Sequence, residues 1–232
     1  MTWIMRLTGL SVVTLLLVTP AHADVIAYSN FGMNNTHNYP NFTGSGVVGG
    51  NSGRAEAAFQ FTSAATGDVT SIILALGTNF VSNTDVATLY SDAMNYPDPV
   101  KATFDLPAVP VFNIANPGNV PLAVTTINIQ AGMVALVAGQ KYWLSIAPGA
   151  PNAAGDPHAL VWFDNSTGIA GLFAQRTDPP QPNNNFVVFG NTTQGAFSVL
   201  VANPPVNVPE PSSMVVLGAA LIGFGLYRRC RT

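Results

Sequence analysis

Cysteine is almost absent from this 232-residue chain: the single one, Cys230, is third from the end. An interior without cysteine has no disulfide staple, no thiol nucleophile and no thiolate metal site, so its stability must come from packing. Charge is scarce as well, at 8% of residues. Between Asp24 and Asn207 the positive side chains are Arg54, Lys101, Lys141 and Arg176, set against ten acidic ones, a net of −6. Nucleic-acid binding needs clustered Lys and Arg to neutralise phosphates, and an acidic stretch without a basic stripe excludes that partner. Glu56 is the only glutamate of this stretch, and His37 and His158 are its only histidines. There is no Gly-x-Ser-x-Gly elbow, no His-Glu-x-x-His pair and no Gly-x-x-x-x-Gly-Lys cradle, and the residues point to no cofactor and no metal. Long apolar runs are missing except at the two ends.

Those ends are informative. Met1 to Ala23 carries one positive residue, Arg6, an apolar stretch from Leu7 to Val18, and a small-x-small site at Ala21-His22-Ala23. This is the pattern of a secretory signal helix, with signal peptidase expected to cut after Ala23 and expose Asp24. At the other end stand Val208-Pro209-Glu210-Pro211, an uncharged run from Ser212 to Leu226, and then Arg228, Arg229 and Arg231. Pro209 and Pro211 cannot continue a helix, so a single hydrophobic helix is expected to begin after them. The run is at the short end of what spans a bilayer, where about 20 apolar residues are needed. The arginines form a cytoplasmic stop.

Val208 to Thr232 resembles the PEP-CTERM sorting signal of Gram-negative bacteria that make exopolysaccharide. The resemblance implies that Val208, Pro209, Glu210 and Pro211 are a sorting motif read by exosortase, a membrane-embedded cysteine protease. It also implies an intermediate held in the inner membrane by the C-terminal helix, followed by transfer to the cell surface or release. Cys230, after the arginines, departs from the usual Arg-rich end.

The remaining chain divides as a domain over 24–202 and a proline-containing linker over 203–207, followed by the sorting segment at 208–232. The domain alternates. Ala57, Phe59 and Phe61 fall on one face of a period-two run, as do Ile72, Leu74 and Leu76, then Tyr142, Leu144 and Ile146, then Phe197, Val199 and Val201. Stretches rich in Asn, Gly and Pro separate these runs, notably Asn30–Gly53, Pro107–Pro121 and Pro148–Pro157. No helical period persists and no fixed repeat recurs. About ten to twelve short strands are expected, giving an all-β, antiparallel sandwich of jelly-roll type flanked by the signal helix and the C-terminal helix. Val69 to Leu76 reads as one strand, and Asn30–Gly53 reads as loop. Ala57-x-Phe59-x-Phe61, Val69 to Gly77, Thr88 to Asp92 and Ala138 to Leu144, in that order, resemble the choice-of-anchor R domain of exported bacterial proteins. That resemblance implies a surface β domain without an established activity.

Three constellations remain. Tyr142-Trp143, Trp162-Phe163 and Phe173 could supply sugar-stacking rings, with Trp143 and Trp162 the candidates. Alternation places Tyr142 and Trp143 on opposite faces, so at most one of them is expected in the core. Asp156, Asp164 and Asn165 could supply oxygens to Ca²⁺, but there is no Asp-x-Asp-x-Asp loop and Asx turns explain them better. His158 near Asp156 and Asp164 is a weak triad-like group. The expectation is therefore a non-enzymatic, exported surface or matrix protein with a structural or adhesive role and exopolysaccharide as a candidate partner. The alternative is a secreted glycan hydrolase working through Asp.

Overall fold

The structure, a computed structural model, describes residues 23–37, 47–48, 54–78, 85–111, 124–147, 160–178 and 185–203. The expected signal helix, the C-terminal helix and the linker beyond Asn203 lie outside the described residues. Among the described residues no helix is long and apolar enough to cross a membrane.

The strands are β1 (Asp24–Ser29), β2 (Val47–Val48), β3 (Arg54–Thr62), β4 (Gly67–Leu74), β5 (Leu76–Thr78), β6 (Val86–Asp92) and β7 (Pro97–Asp105). They continue with β8 (Thr125–Asn128), β9 (Ala135–Leu136), β10 (Lys141–Ala147), β11 (Leu160–Trp162), β12 (Ala170–Asp178), β13 (Val187–Thr193) and β14 (Phe197–Ala202). A single 3-10 turn, Met33–Asn35, is the only helical element among the described residues. All named strand pairs are antiparallel. One large sheet runs β13-β12-β3-β10-β6-β7, the other runs β1-β14-β4-β8 with β9 also on β4, and a small sheet runs β2-β11-β5. The all-β antiparallel sandwich is as the alternation predicts.

Between the large sheets lies the main core. Ala57, Phe59 and Phe61 of β3 and Tyr142, Leu144 and Ile146 of β10 meet Ile72 and Leu74 of β4 and Phe197, Val199 and Val201 of β14. These are the residues whose alternation marked one face, because side chains i and i+2 of a strand share a face. Phe59 packs edge-on to Trp162 at 5.0 Å, and Tyr28 lies 4.8 Å from Phe197, so aromatic rings fill the centre.

Two local expectations are corrected. The run Val69–Leu76 is not one strand: it breaks at Ala75, whose N–H donates to Ala196 O and whose carbonyl accepts from Phe163 N. The chain thereby passes from the second large sheet into the small one. Asn30–Gly53 is not all loop, because β2 lies within it and pairs with β11. Both features depend on partners more than 80 residues away, which local alternation does not encode.

The outer strands of the large sheets differ in chemistry. β7 carries Pro97, Pro99, Lys101 and Asp105, residues that suit an edge. β1 is bulged at Ala27, whose carbonyl accepts from Ala64 N. β8 is only four residues long. β13, VVFGNTT, has no charge and no proline.

Candidate functional site

Of the residues singled out in the sequence, both candidate sugar-stacking rings are buried. Trp143 and Trp162 are each 0% exposed, so neither offers a face to a ligand from solvent, and the stacking assignment is corrected on that ground. Trp162 sits in the main core, its Nε1–H donating to Ala196 O at 3.1 Å, with Gly195 pressed against its ring. Trp143 points to the opposite side of its sheet from Tyr142, yet both are buried, which corrects the expectation that at most one would be. The outer face of the six-stranded sheet is itself covered: Ala58, Tyr90, Trp143, Ala174 and Phe186 form a second apolar cluster there.

A charged knot lies beside that cluster. Glu56 of β3, 5% exposed, accepts from Ser145 Oγ at 2.5 Å, from Tyr90 OH at 2.8 Å and from Arg176 Nε at 2.6 Å. A terminal guanidinium nitrogen of Arg176 also donates to the Tyr90 hydroxyl at 3.1 Å, and the guanidinium sits over the Phe186 ring at 4.6 Å. Burial, reinforced by the Glu56 carboxylate, pushes the Tyr90 phenol well above its usual range. The register explains the meeting: Arg176 is directly opposite Glu56 across β12 and β3, and Tyr90 and Ser145 come from the two strands beyond. With its oxygens bonded to three neighbours, the domain's only glutamate holds the sheet together. Asp92 is similarly engaged, accepting from Trp143 Nε1 and Gln60 Nε2, each at 2.7 Å.

At another corner, polar side chains lock loops together. Asn165 Nδ2 donates to Ile169 O and Gln194 O, and its Oδ1 accepts from Thr167 Oγ1 and Ile169 N, all within 2.9 Å. Asn165 thus ties down its own loop, its oxygen already taken by two donors, through a backbone N–H four residues on rather than the two residues of an Asx turn. Asn30 links β1 to Phe197 N and Gly195 O, and Tyr28 OH donates to Gln194 Oε1. His37 stacks on Phe163 at 5.5 Å, and burial lowers its pKa from 6.5. Asp156 and His158 lie outside the described residues. Among the described residues no group of three or more His, Cys, Asp or Glu side chains is placed to hold a metal.

The aromatic that does face solvent is one the sequence did not single out. Phe189 on β13 is 62% exposed, the only aromatic among the exposed large apolar residues described. The β12–β13 register pairs Phe173 with Gly190 and Ala174 with Val188, leaving Phe189 as the extra residue of a bulge. A bulge re-aims its side chain. Here the Phe189 ring stacks on Phe173 at 5.6 Å and 29°, one face inward and the other open. Gly190, at φ +88°, supplies a left-handed backbone that favours glycine. Val187 is also exposed, and Asn191 and Thr193 add neutral polar groups nearby. Gly190 beside an otherwise β-prone run was the legible hint.

The sequence elements expected to carry sorting flank this domain. Ala23 lies just before β1, its carbonyl accepting from Asn203 N at 3.4 Å, so the two chain ends of the domain lie side by side. Ala21 lies outside the described residues. So do Val208, Pro209, Glu210 and Pro211, and Arg228, Arg229 and Arg231. Residues 207–229 match the PEP-CTERM protein-sorting motif. A motif of this type supports sorting to the cell surface through a membrane-anchored intermediate and processing by exosortase. A search of curated proteins gave no match.

Proposed function

We propose that the protein is an exported, non-enzymatic surface or extracellular-matrix component, delivered by its C-terminal tail and acting as a structural or adhesive module that holds polysaccharide. The observation that carries the reading is the sorting motif at 207–229, which follows a short linker after a β domain closed by β14. The resemblance of the domain to choice-of-anchor R proteins fits the same reading. In this reading signal peptidase removes residues 1–23, exosortase acts at the tail, and the domain remains outside the cell.

The polysaccharide contact falls to Phe189. Sugar rings have apolar C–H faces that stack on aromatics, and an open ring backed by Phe173 is rigid enough to receive one. Neutral Asn and Thr side chains nearby can meet hydroxyls without requiring a charged polymer.

Two measurements test the proposal. Mass spectrometry of the surface fraction should find a chain beginning at Asp24 and lacking Met214–Thr232; an intact C-terminus in the membrane would reduce the tail to a plain anchor. Pull-down with polysaccharide from the producing cells should retain the exported protein, and Phe189→Ala should lose that retention. Release of sugar fragments during the incubation would favour a hydrolase instead.

A further inference from the structure

Both ends of the domain leave from one place. The Asn203 N–H donates to the Ala23 carbonyl, and Gly67 of β4 lies against the Ala202 carbonyl, so β14 ends between β1 and the start of β4. Two turns are tied to the same end. In the turn before β4, Ala64 N–H donates to Ala27 O of β1, Ser63 O accepts from Gly139 N, and Thr66 Oγ1 accepts from Ala138 N. The turn between β6 and β7 joins through Asn95, whose side-chain oxygen accepts from Lys141 Nζ at 2.9 Å. Four large apolar side chains stand on these segments, each at least half exposed: Ile26, Met94, Met133 and Val137. The segment from Gln130 to Gln140, which carries two of them, has no charge. Exposed apolar side chains gathered in one region mark a contact with something outside the domain.

The chain beyond Asn203 says what that is. Eight residues, 204–211, separate it from the uncharged run that begins at Ser212. Fully extended, eight residues reach about 30 Å. A domain of this length is about 40 Å across, from its expected radius of gyration. The sorting motif implies an intermediate anchored in the membrane. In that state the tether is shorter than the domain and keeps the end that holds Asn203 nearest the bilayer.

We propose that this end is a lipid-contact surface: in the anchored intermediate, Ile26, Met94, Met133 and Val137 rest in the headgroup layer of the bilayer that holds the tail. The proposal rests on the membrane-anchored state and is independent of polysaccharide binding. The contact is apolar rather than electrostatic, because a domain with a net charge of −6 gains nothing from anionic headgroups. Asp24 and Asp68 stand at the same end, and the cost of burying a carboxylate keeps the contact shallow. Its effect is orientation: the domain is held with its chain exit toward the enzyme that reads the tail. Four side chains are too few to hold the domain once the tail is cut, so the contact does not oppose release.

Fluorescence quenching on the chain with its tail tests the proposal. The protein is purified from cells lacking exosortase and reconstituted into vesicles of phosphatidylethanolamine and phosphatidylglycerol that carry a nitroxide on the headgroup. Bimane is attached at Met94→Cys, at Val137→Cys, or at Met33→Cys, each in a Cys230→Ala background so that the dye has one site. Met33 is exposed and follows Asn30, which bonds to Phe197 where β14 begins, so it reports on the opposite end. Quenching at Met94→Cys and Val137→Cys should exceed that at Met33→Cys several-fold and should persist at high salt. Unchanged melting temperatures will show that the three exposed substitutions leave the fold intact. Equal quenching at all three sites overturns the proposal, and so does an absence of quenching at Met94→Cys and Val137→Cys in protein that floats with the vesicles. Protein that does not float overturns the anchored state itself, and the lipid contact with it.

Discussion

Glu56 shows what a single residue does in a domain with few charges. Its carboxylate is buried against Arg176, Tyr90 and Ser145, and removing one member of a buried pair leaves the other charge uncompensated. Glu56→Gln should therefore destabilise the fold by about 3 kcal/mol, read as a lower denaturation midpoint with an unchanged slope. His37 provides a titration. Burial among Phe31 and Phe163 depresses its folded pKa below the ordinary 6.5, so the folded state favours neutral imidazole. Its contribution is present above pH 6.5 and is lost as pH falls below it. His37→Gln should flatten that part of the stability–pH curve, which melting between neutral and mildly acidic pH will show. The opposite sign holds for Tyr28, whose phenol burial raises from 10.0 to about 12. Its stabilising effect is complete below pH 10 and is lost as pH rises beyond it.

At the scale of elements, the turn joining β13 to β14 is set by one close approach. A Cβ added to Gly195 would lie 2.6 Å from three atoms of the Trp162 indole, which is fully buried and cannot step aside. Gly195→Ala should cost about 1–3 kcal/mol and shift the near-ultraviolet tryptophan signal, because the ring must move. β13 and β7 show how two outer strands of one sheet can differ. β7 accepts Pro97 and Pro99 because an outer strand has one unpaired side, while β13 spends its glycine on the bulge that turns Phe189 outward. The alternating runs of β3, β10 and β14 are legible in the residues themselves, since period two alone assigns their inward faces. The break at Ala75 is not, because it is made by hydrogen bonds to Phe163 and Ala196.

For the molecule as a whole, cohesion rests on packing and hydrogen bonds, because the domain over 24–202 holds no cysteine. Reductant should leave the melting temperature of the protein unchanged; a fall would mean that Cys230 is retained and joined in a disulfide that steadies the domain. The side-by-side ends at Ala23 and Asn203 have a topological consequence. A domain whose two ends leave from neighbouring strands can fold without threading either end through it, because β1 and β14 are neighbours in one sheet.

By itself the sequence determined the address and the fold class. The sorting motif matched at 207–229 and period-two alternation are local patterns, readable wherever a few neighbouring residues carry the physics. Only the tertiary structure decided which aromatics were available. Trp143 and Trp162 look like binding residues in the sequence, yet each is covered by residues distant along the chain: Ala58, Tyr90 and Phe186 for one, Phe59 and Phe197 for the other. Phe189 looks ordinary in the sequence, but its place at the end of the sheet and its bulge against Phe173 leave it open. Burial is a sum over long-range contacts, and a single strand's alternation states which side a residue faces without stating whether anything covers that side.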